Sequence, residues 1–400
     1  MNIINKLDIS NKTVLIRCDF NVPKDKFGNI LDDRRIKATL PTINYCLERG
    51  CKVVLISHLG RPKAGVFDEK FSLDVVAKRV NALLELKNNF YFDDSKEGAV
   101  ITKRAKELFG KLQSGDVLLL ENLRFDARET ENSKEFAKEL SSFGEIYIND
   151  AFSVCHRTHA SVVAITQFYS KDKKGAGFLL AREYHFFTKV LQEPKHPYVA
   201  VIGGSKISTK LNVLKGLLDR VDKLVIGGGM AYTFFKALGY EVGNSIVEDD
   251  LIDSAKEIMN EAKNKGVKLY LPVDVTVAKK LSEHTKITYV PYQDIPKNKM
   301  GLDIGPATIR LFKEIFRDAK TIFWNGPMGV YEIERFAKGS YKVSNYIAKS
   351  HALSVVGGGD SADVVKKAGD LNKMSFVSTG GGASLKLVAG EKLAGIEALE

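Results

Sequence analysis

Cysteine is scarce: Cys18, Cys46, Cys51 and Cys155 are the only four in a chain of 400 residues. Four is too few for a disulfide scaffold. No Cys-x-x-Cys occurs, and Cys46 and Cys51 have no second pair to complete a zinc site. The pattern is that of reduced thiols in a cytoplasmic protein. No apolar run approaches the ~20 residues that a membrane span needs. The opening MNIINKLDIS lacks the charged-then-apolar pattern of a secretory leader. Short-period repeats and low-complexity tracts are absent. So is the phosphate pattern G-x-x-x-x-G-K-[ST]: the one Gly-Lys pair is Gly110-Lys111, and Ala105 stands where the first glycine belongs. Aromatic residues make up only 9%, with no tract that interleaves them with basic residues. A nucleic-acid module is therefore disfavoured.

What is present is an ordinary globular composition, 44% hydrophobic and 27% charged. Basic residues exceed acidic ones, 60 to 49, for a net charge of +11. Such an excess suits a polyanionic partner without saying which. The length suggests two to four domains at ~100–200 residues each.

Short apolar runs alternate with polar or glycine-rich turns and amphipathic segments. The strand candidates are TVLIRCDFNV, CKVVLIS, DVLLLEN and EIYIND, then YVAVIGG, KLVIGGG, KLYLPVD, TIFWNGP, LSVVGGG and SFVSTGG. Nearly continuous β-branched runs predict strands buried on both faces, as in a parallel sheet. Helical patterns such as SLDVVAKRVNALLEL and DLIDSAKEIMNEAKNKG lie between them. The alternation predicts an α/β fold. The halves differ: residues 1–200 hold eleven of the fifteen Arg, whereas every Gly-Gly lies in residues 201–400. That asymmetry predicts two domains with different ligands. A connecting helix is expected from about Ala181 to Gln192, stopped by Pro194 and Pro197.

In the first half, polar residues directly follow strand-like runs: Asp19 and Asn21, His58 and Arg61, Arg124, and Arg157. Ligands of open parallel sheets sit beyond the carboxyl ends of strands. With Arg35, these arginines predict a cationic cleft, since guanidinium offers a planar fork to phosphate or carboxylate. His156 and His159 flank Arg157, but no carboxylate or Cys pattern supports a metal there. Anion binding or helix-cap hydrogen bonding are the readings left for them.

The second half looks built for phosphate. In VIGGSKISTKLNVLKGL a helix is expected to start near Ser205, putting Lys206 and Lys210 on one face. Two ammonium groups at the positive end of a helix dipole ask for an anion between them. The runs VIGGGM, VVGGGDSA and VSTGGGAS can each bring backbone N–H groups up to phosphate. Asp360 follows one of these runs and reads either as a metal-facing carboxylate or as a helix N-cap. A dinucleotide pattern occurs at Gly357, Gly359 and Ala362, but the acid expected about 20 residues on is missing. An NAD-dependent oxidoreductase is therefore disfavoured.

Taken in order, RCDFNVP, RRIKATLPTI, SHLGRP, LLLENLRF, NDAFSVCHRTHAS, VIGGSKISTKL, IGGGMAYTF, GLDIGPATI, FWNGPMGVYE, VVGGGDSA and STGGGASL resemble the phosphoglycerate kinase family over essentially the whole chain. The resemblance implies two Rossmann-like domains, each a parallel sheet flanked by helices, joined by a connecting helix with a cleft between. It implies a 3-phosphoglycerate-binding domain over 1–180, an interdomain helix over 181–193, a nucleotide-binding domain over 194–378, and a segment over 379–400 that returns to the first domain. The activity implied is reversible phosphoryl transfer between 1,3-bisphosphoglycerate and ADP with magnesium, by a cytoplasmic monomer.

By the same resemblance, Asp19, Phe20, Asn21, Arg35, His58, Leu59, Gly60, Arg61, Arg124 and Arg157 would bind the glycerate ligand. Arg35, Lys206, Lys210 and Gly381 would serve the transfer. Gly301 would lie at the adenine, and Asn325 and Glu332 would face the nucleotide. Gly358, Gly359, Asp360 and Ser361 would hold phosphate, with Asp360 on the metal. The chain departs from the family's usual Gly-Thr-Ala at Ser153-Val154-Cys155, and Ser361 replaces a commoner Thr.

Overall fold

The structure, a computed structural model, describes residues 1–84 and 89–400. The chain divides into two compact units, Met1–Phe186 with Lys392–Glu400, and Phe187–Glu391.

The first unit is built on a six-stranded sheet: β1 (Thr13–Arg17), β2 (Lys52–Ile56), β3 (Phe90–Phe92), β4 (Val117–Leu119), β5 (Ile146–Asn149) and β6 (Lys174–Ala176). The order is β3-β4-β2-β1-β5-β6, and every pairing is parallel. Val14, Leu15 and Ile16 of β1 and Val53, Val54 and Leu55 of β2 are all fully buried. Helices therefore cover both faces, which is why these strands read as unbroken apolar runs. The chain end belongs to this unit: Gly395 N–H donates to Cys155 O at 2.8 Å, and Lys174 Nζ to Ala398 O at 2.9 Å. Residues 379–391 stay with the second unit.

The second unit repeats the plan with β7 (Tyr198–Ile202), β8 (Lys223–Ile226), β9 (Lys268–Tyr270), β13 (Thr321–Asn325), β14 (Leu353–Gly357) and β15 (Phe376–Val377), in the order β15-β14-β13-β7-β8-β9. A three-stranded antiparallel sheet interrupts it: β10 (Asp274–Ala278), β11 (Thr288–Pro291) and β12 (Met300–Ile304), in the order β11-β10-β12. That sheet carries no strong sequence signal. Along β11, half-buried residues alternate with exposed ones, so no apolar run forms.

All ten expected strand segments are strands. The helical pattern SLDVVAKRVNALLEL folds as Asp74–Leu84, and its last two residues fall outside the described residues. The connecting helix differs from expectation. It begins at Phe178, is α-helical to His185, and passes into a π-helical turn over Phe186–Val190. Its start is set from the first unit, where Thr42 Oγ1 accepts from Phe178 N–H at 2.9 Å and Asp150 Oδ1 from Leu180 N–H at 3.1 Å. Among the described residues, no helix is long and apolar enough to cross a membrane.

Candidate active site

In the first unit, four neighbouring strands, β4, β2, β1 and β5, send their carboxyl ends to one edge of the sheet. The loops after them carry Arg124, His58 to Arg61, Asp19 to Asn21, and Ser153 to Arg157. Arg35 enters from the second residue of helix Arg34–Leu47. Its Nη1 lies 2.7 Å from Asp19 Oδ2 and donates to Asn21 O at 3.2 Å. Asn21 Oδ1 accepts from Gly60 N–H at 2.8 Å, which ties the β1 loop to the β2 loop. Phe20 is fully buried, with its N–H on Ser57 Oγ. Leu59 is buried and its N–H is held by Asn122 Oδ1. Arg124 Nη1 donates to Gly60 O. Arg61 is exposed at the rim.

The electrostatics of this edge are those of an anion site. Burial, and then the charge of Arg157, pushes Arg124 down to about 10. Burial, and then Arg61, lowers Arg157. Burial and the surrounding guanidinium groups push His58 well below its ordinary value, and His159 down to about 4. Both imidazoles are neutral at pH 7. The approach of His159 Nδ1 to Glu129 Oε1, 3.7 Å, is therefore not an ion pair. Arg124 Nε and Arg157 Nε are buried without a hydrogen-bond partner among the described residues. Buried donors left unmade are costly, so cations crowded this way call for a multiply charged anion.

Sequence reasoning missed the support beneath this edge. Arg17, the last residue of β1, is fully buried. It donates through Nε to Ser161 Oγ at 2.8 Å, through Nη1 to Cys18 O, and through Nη2 to His58 Nδ1 at 3.2 Å. The last bond leaves His58 Nε2 as the protonated nitrogen of the neutral ring. Ser161 gives its N–H and its Oγ–H to the buried Glu129. The signal was an arginine closing an otherwise apolar strand. Glu129→Gln should cost about 1–3 kcal/mol, since one of the two buried Ser161 donors then faces an NH2 group instead of an acceptor; urea unfolding checks this, and unchanged stability would mean the network carries little. Cys155 is fully buried, with its thiol pushed up to about 12 by burial, and is not a reactive thiol.

The second unit presents the equivalent edge, where β15, β14, β13, β7 and β8 end next to one another. One expectation is corrected here. The helix after β7 begins at Leu211, not near Ser205, and Lys210 is its N-cap residue. Lys206 and Lys210 thus do not share a helix face. Gly203-Gly204 and the turns after them take up the chain before any helical hydrogen bonding starts. Lys206 is exposed. Lys210 is turned inward: its Nζ donates to Asn325 Oδ1 at 2.7 Å and to Gly203 O. Burial pushes it down to about 8. Asn325 Nδ2 in turn donates to Gly357 O at 2.6 Å, so Asn325 and Lys210 together join the ends of β7, β13 and β14.

Gly358 has φ +102°, and a Cβ there would meet Asn325 Nδ2 at 2.7 Å. Only glycine lets the chain turn from β14 into helix Gly359–Lys367 at that point. Gly359 and Asp360 are exposed in its first turn. Ser361 is buried, and its Oγ accepts from Gly326 N–H at 2.6 Å. Gly301 lies against Tyr232, where a Cβ would stand 1.8 Å from the phenol oxygen; Tyr232 was not foreseen. Glu332 is exposed. Gly381 (φ +47°) caps helix Gly382–Val388.

No group of three or more His, Cys, Asp or Glu side chains able to hold a metal occurs among the described residues. Asp360 offers one solvent-facing carboxylate beside Tyr331, whose hydroxyl bonds it. That suits magnesium, which keeps its waters and takes one or two carboxylates together with substrate phosphates.

Comparison with known proteins matches residues 4–391 to the family described as phosphoglycerate kinase. The chain is 60% identical over 388 residues to the phosphoglycerate kinase of Nautilia profundicola, covering 97% of this chain and 96% of that one. It is 58% identical over 403 residues to that of a Nitratiruptor species, covering 100% and 99%. Among solved structures, phosphoglycerate kinase from Coxiella burnetii superimposes with a TM-score of 0.81 at 39% identity, and that from Pyrococcus horikoshii with 0.85 at 32%. Each covers 100% of this chain and 98% of the other.

Proposed function

Because the chain belongs to the phosphoglycerate kinase family, and so is a phosphotransferase acting between 1,3-bisphosphoglycerate and ADP, we propose that its two sheet edges divide the reactants. The edge of the first unit takes 3-phosphoglycerate or its 1,3-bisphosphate, on Asp19, Phe20, Asn21, Arg35, His58, Leu59, Gly60, Arg61, Arg124 and Arg157. The edge of the second takes ADP or ATP. Lys210 and the backbone of Gly358 and Gly359 meet the phosphates, Gly301 and Asn325 line the base and sugar side, and Glu332 meets the ribose. The observation that carries the division is the pair of unpartnered, buried Nε atoms of Arg124 and Arg157.

In the direction of ATP use, a carboxylate oxygen of 3-phosphoglycerate attacks the γ-phosphorus. The new O–P bond forms as the bond to the β-phosphate oxygen breaks, and ADP leaves. The protein supplies position and positive charge. Arg35, Lys206, Lys210 and the N–H groups around Gly381 face the charge spread over the transferring group. Asp360, together with the nucleotide phosphates, would hold magnesium, which would supply positive charge against them. No side-chain nucleophile is required. Reacting atoms must come within about 3–3.5 Å, so the ligands meet by domain closure. The enzyme acts as a cytoplasmic monomer on these small molecules, without nucleic acid or membrane. A coupled assay with 3-phosphoglycerate, ATP and magnesium tests the reading, and the absence of ADP formation that depends on 3-phosphoglycerate defeats it.

The ribose contact has its own test. Glu332→Ala should raise KM for ATP several-fold and change KM for 2′-deoxy-ATP much less, because the lost acceptor serves the hydroxyl that the deoxy nucleotide lacks. Equal losses for the two nucleotides would remove Glu332 from the ribose.

A further inference from the structure

Ser153 is the first residue of the tripeptide that departs from the family's usual Gly-Thr-Ala. It lies in the single 3₁₀ turn Phe152–Val154 that follows β5, and it is half-buried at the arginine-bearing edge of the first unit. Its hydroxyl donates to Asp19 Oδ2, the same oxygen that receives Arg35 Nη1 at 2.7 Å. Asp19 Oδ1 takes Asn21 N–H at 3.2 Å. The Asp19 side chain is 4% exposed, so these protein donors stand in for water.

Arg35 is thus held by a buried carboxylate in the same place from which it would meet a ligand. Turning it toward the ligand strips a buried carboxylate of its ion-pair partner, which is expensive when nothing else satisfies that oxygen. Ser153 changes this balance. Its hydroxyl stays on Asp19 Oδ2 after the guanidinium leaves. Resting on the reading of this edge as the glycerate site, we propose that Ser153 is a positioning residue for phosphoryl transfer: by holding Asp19 Oδ2 it frees Arg35 to engage the glycerate ligand and the transferring group. A glycine at this position has no hydroxyl to do so.

The test is steady-state kinetics on the full chain with 3-phosphoglycerate and magnesium ATP, using Ser153→Ala, Ser153→Thr, Arg35→Ala and the double variant Ser153→Ala/Arg35→Ala. Ser153→Ala is expected to lower kcat/KM for 3-phosphoglycerate by about tenfold, the low end for a hydrogen bond to a charged group. KM for ATP should stay within about twofold. Ser153→Thr keeps the hydroxyl and should recover most of the loss. In the Arg35→Ala background, Ser153→Ala should cost less than about twofold more, because contacts that act through one another are not additive. A merely structural serine would give the same loss in both backgrounds, or a loss on both substrates, and either result overturns the proposal. So does an unchanged kcat/KM in Ser153→Ala. If Arg35→Ala loses turnover while Ser153→Ala does not, the proposal alone fails; if Arg35→Ala keeps wild-type turnover, the reading of the edge fails with it. Should Ser153→Ala not fold, Ser153→Gly removes the same hydroxyl under the same criteria.

Discussion

Arg35→Ala is expected to lower kcat by about 10²–10³ while KM for 3-phosphoglycerate rises far less, since one charge-stabilising donor lost from a transition state costs about that much. Arg35 is the guanidinium at this edge paired with a carboxylate, Asp19, and it is a quarter exposed. Its partial exposure leaves room on the solvent side for a ligand, whereas Arg17 is fully buried and fixed by Ser161, Cys18 and His58. A contact that strengthens as charge develops appears in kcat, and a contact made equally in ground and transition states appears in KM. Arg61 is exposed at the rim, and Arg61→Ala is expected to act mainly on KM, as a contact of the second kind would. The coupled assay measures both. A kcat within a few-fold of wild type in Arg35→Ala would remove Arg35 from the transfer step.

Lys210→Met should produce a loss of similar size, about 10²–10³ in kcat, by the same argument. Lys210 also makes a prediction about pH. Burial pushes it down to about 8, the charge of Asp360 opposing the shift. Below that value it is an ammonium, the form that the proposed phosphate contact requires; as pH rises through it the charge is lost. Affinity for magnesium ADP, measured by calorimetry, should therefore fall between pH 7 and pH 9.5 in the wild type. It should be weaker and flatter with pH in Lys210→Met. A wild-type affinity that does not change across this range would mean that the buried ammonium does not contact the nucleotide.

Much of the first unit's edge was legible because its residues come directly after strands whose apolar runs announce them. Beyond the half-buried Thr13 and Lys52, TVLIR, KVVLI, VLLL and IYIN are buried, and the polar residues in the loops after them stand out against these runs. The same logic found the ends of β7, β13 and β14. It failed where a residue acts from inside an element. Arg17 lies within a strand run, and Tyr232 within the apolar helix Ala231–Ala237, so neither position looks like a ligand contact. It failed again at Ser205, where helical spacing was read into a segment that carries the turns between β7 and Leu211.

The sequence by itself determined the α/β class, the strands of both large sheets that bear the site, the split between an arginine-rich and a glycine-rich half, and the family, because each rests on local patterns: hydrophobic period, turn residues and ordered motifs. Tertiary structure alone decided which charges face one another. It put Ser153 on Asp19, 134 residues away in sequence, and Lys210 on Asn325, 115 residues away. It lowered Arg124 and His159 by removing water and crowding like charges, and Lys210 by removing water. Desolvation and Coulomb repulsion depend on distance and burial, which no spacing along the chain encodes until the sheets have brought the strand ends together.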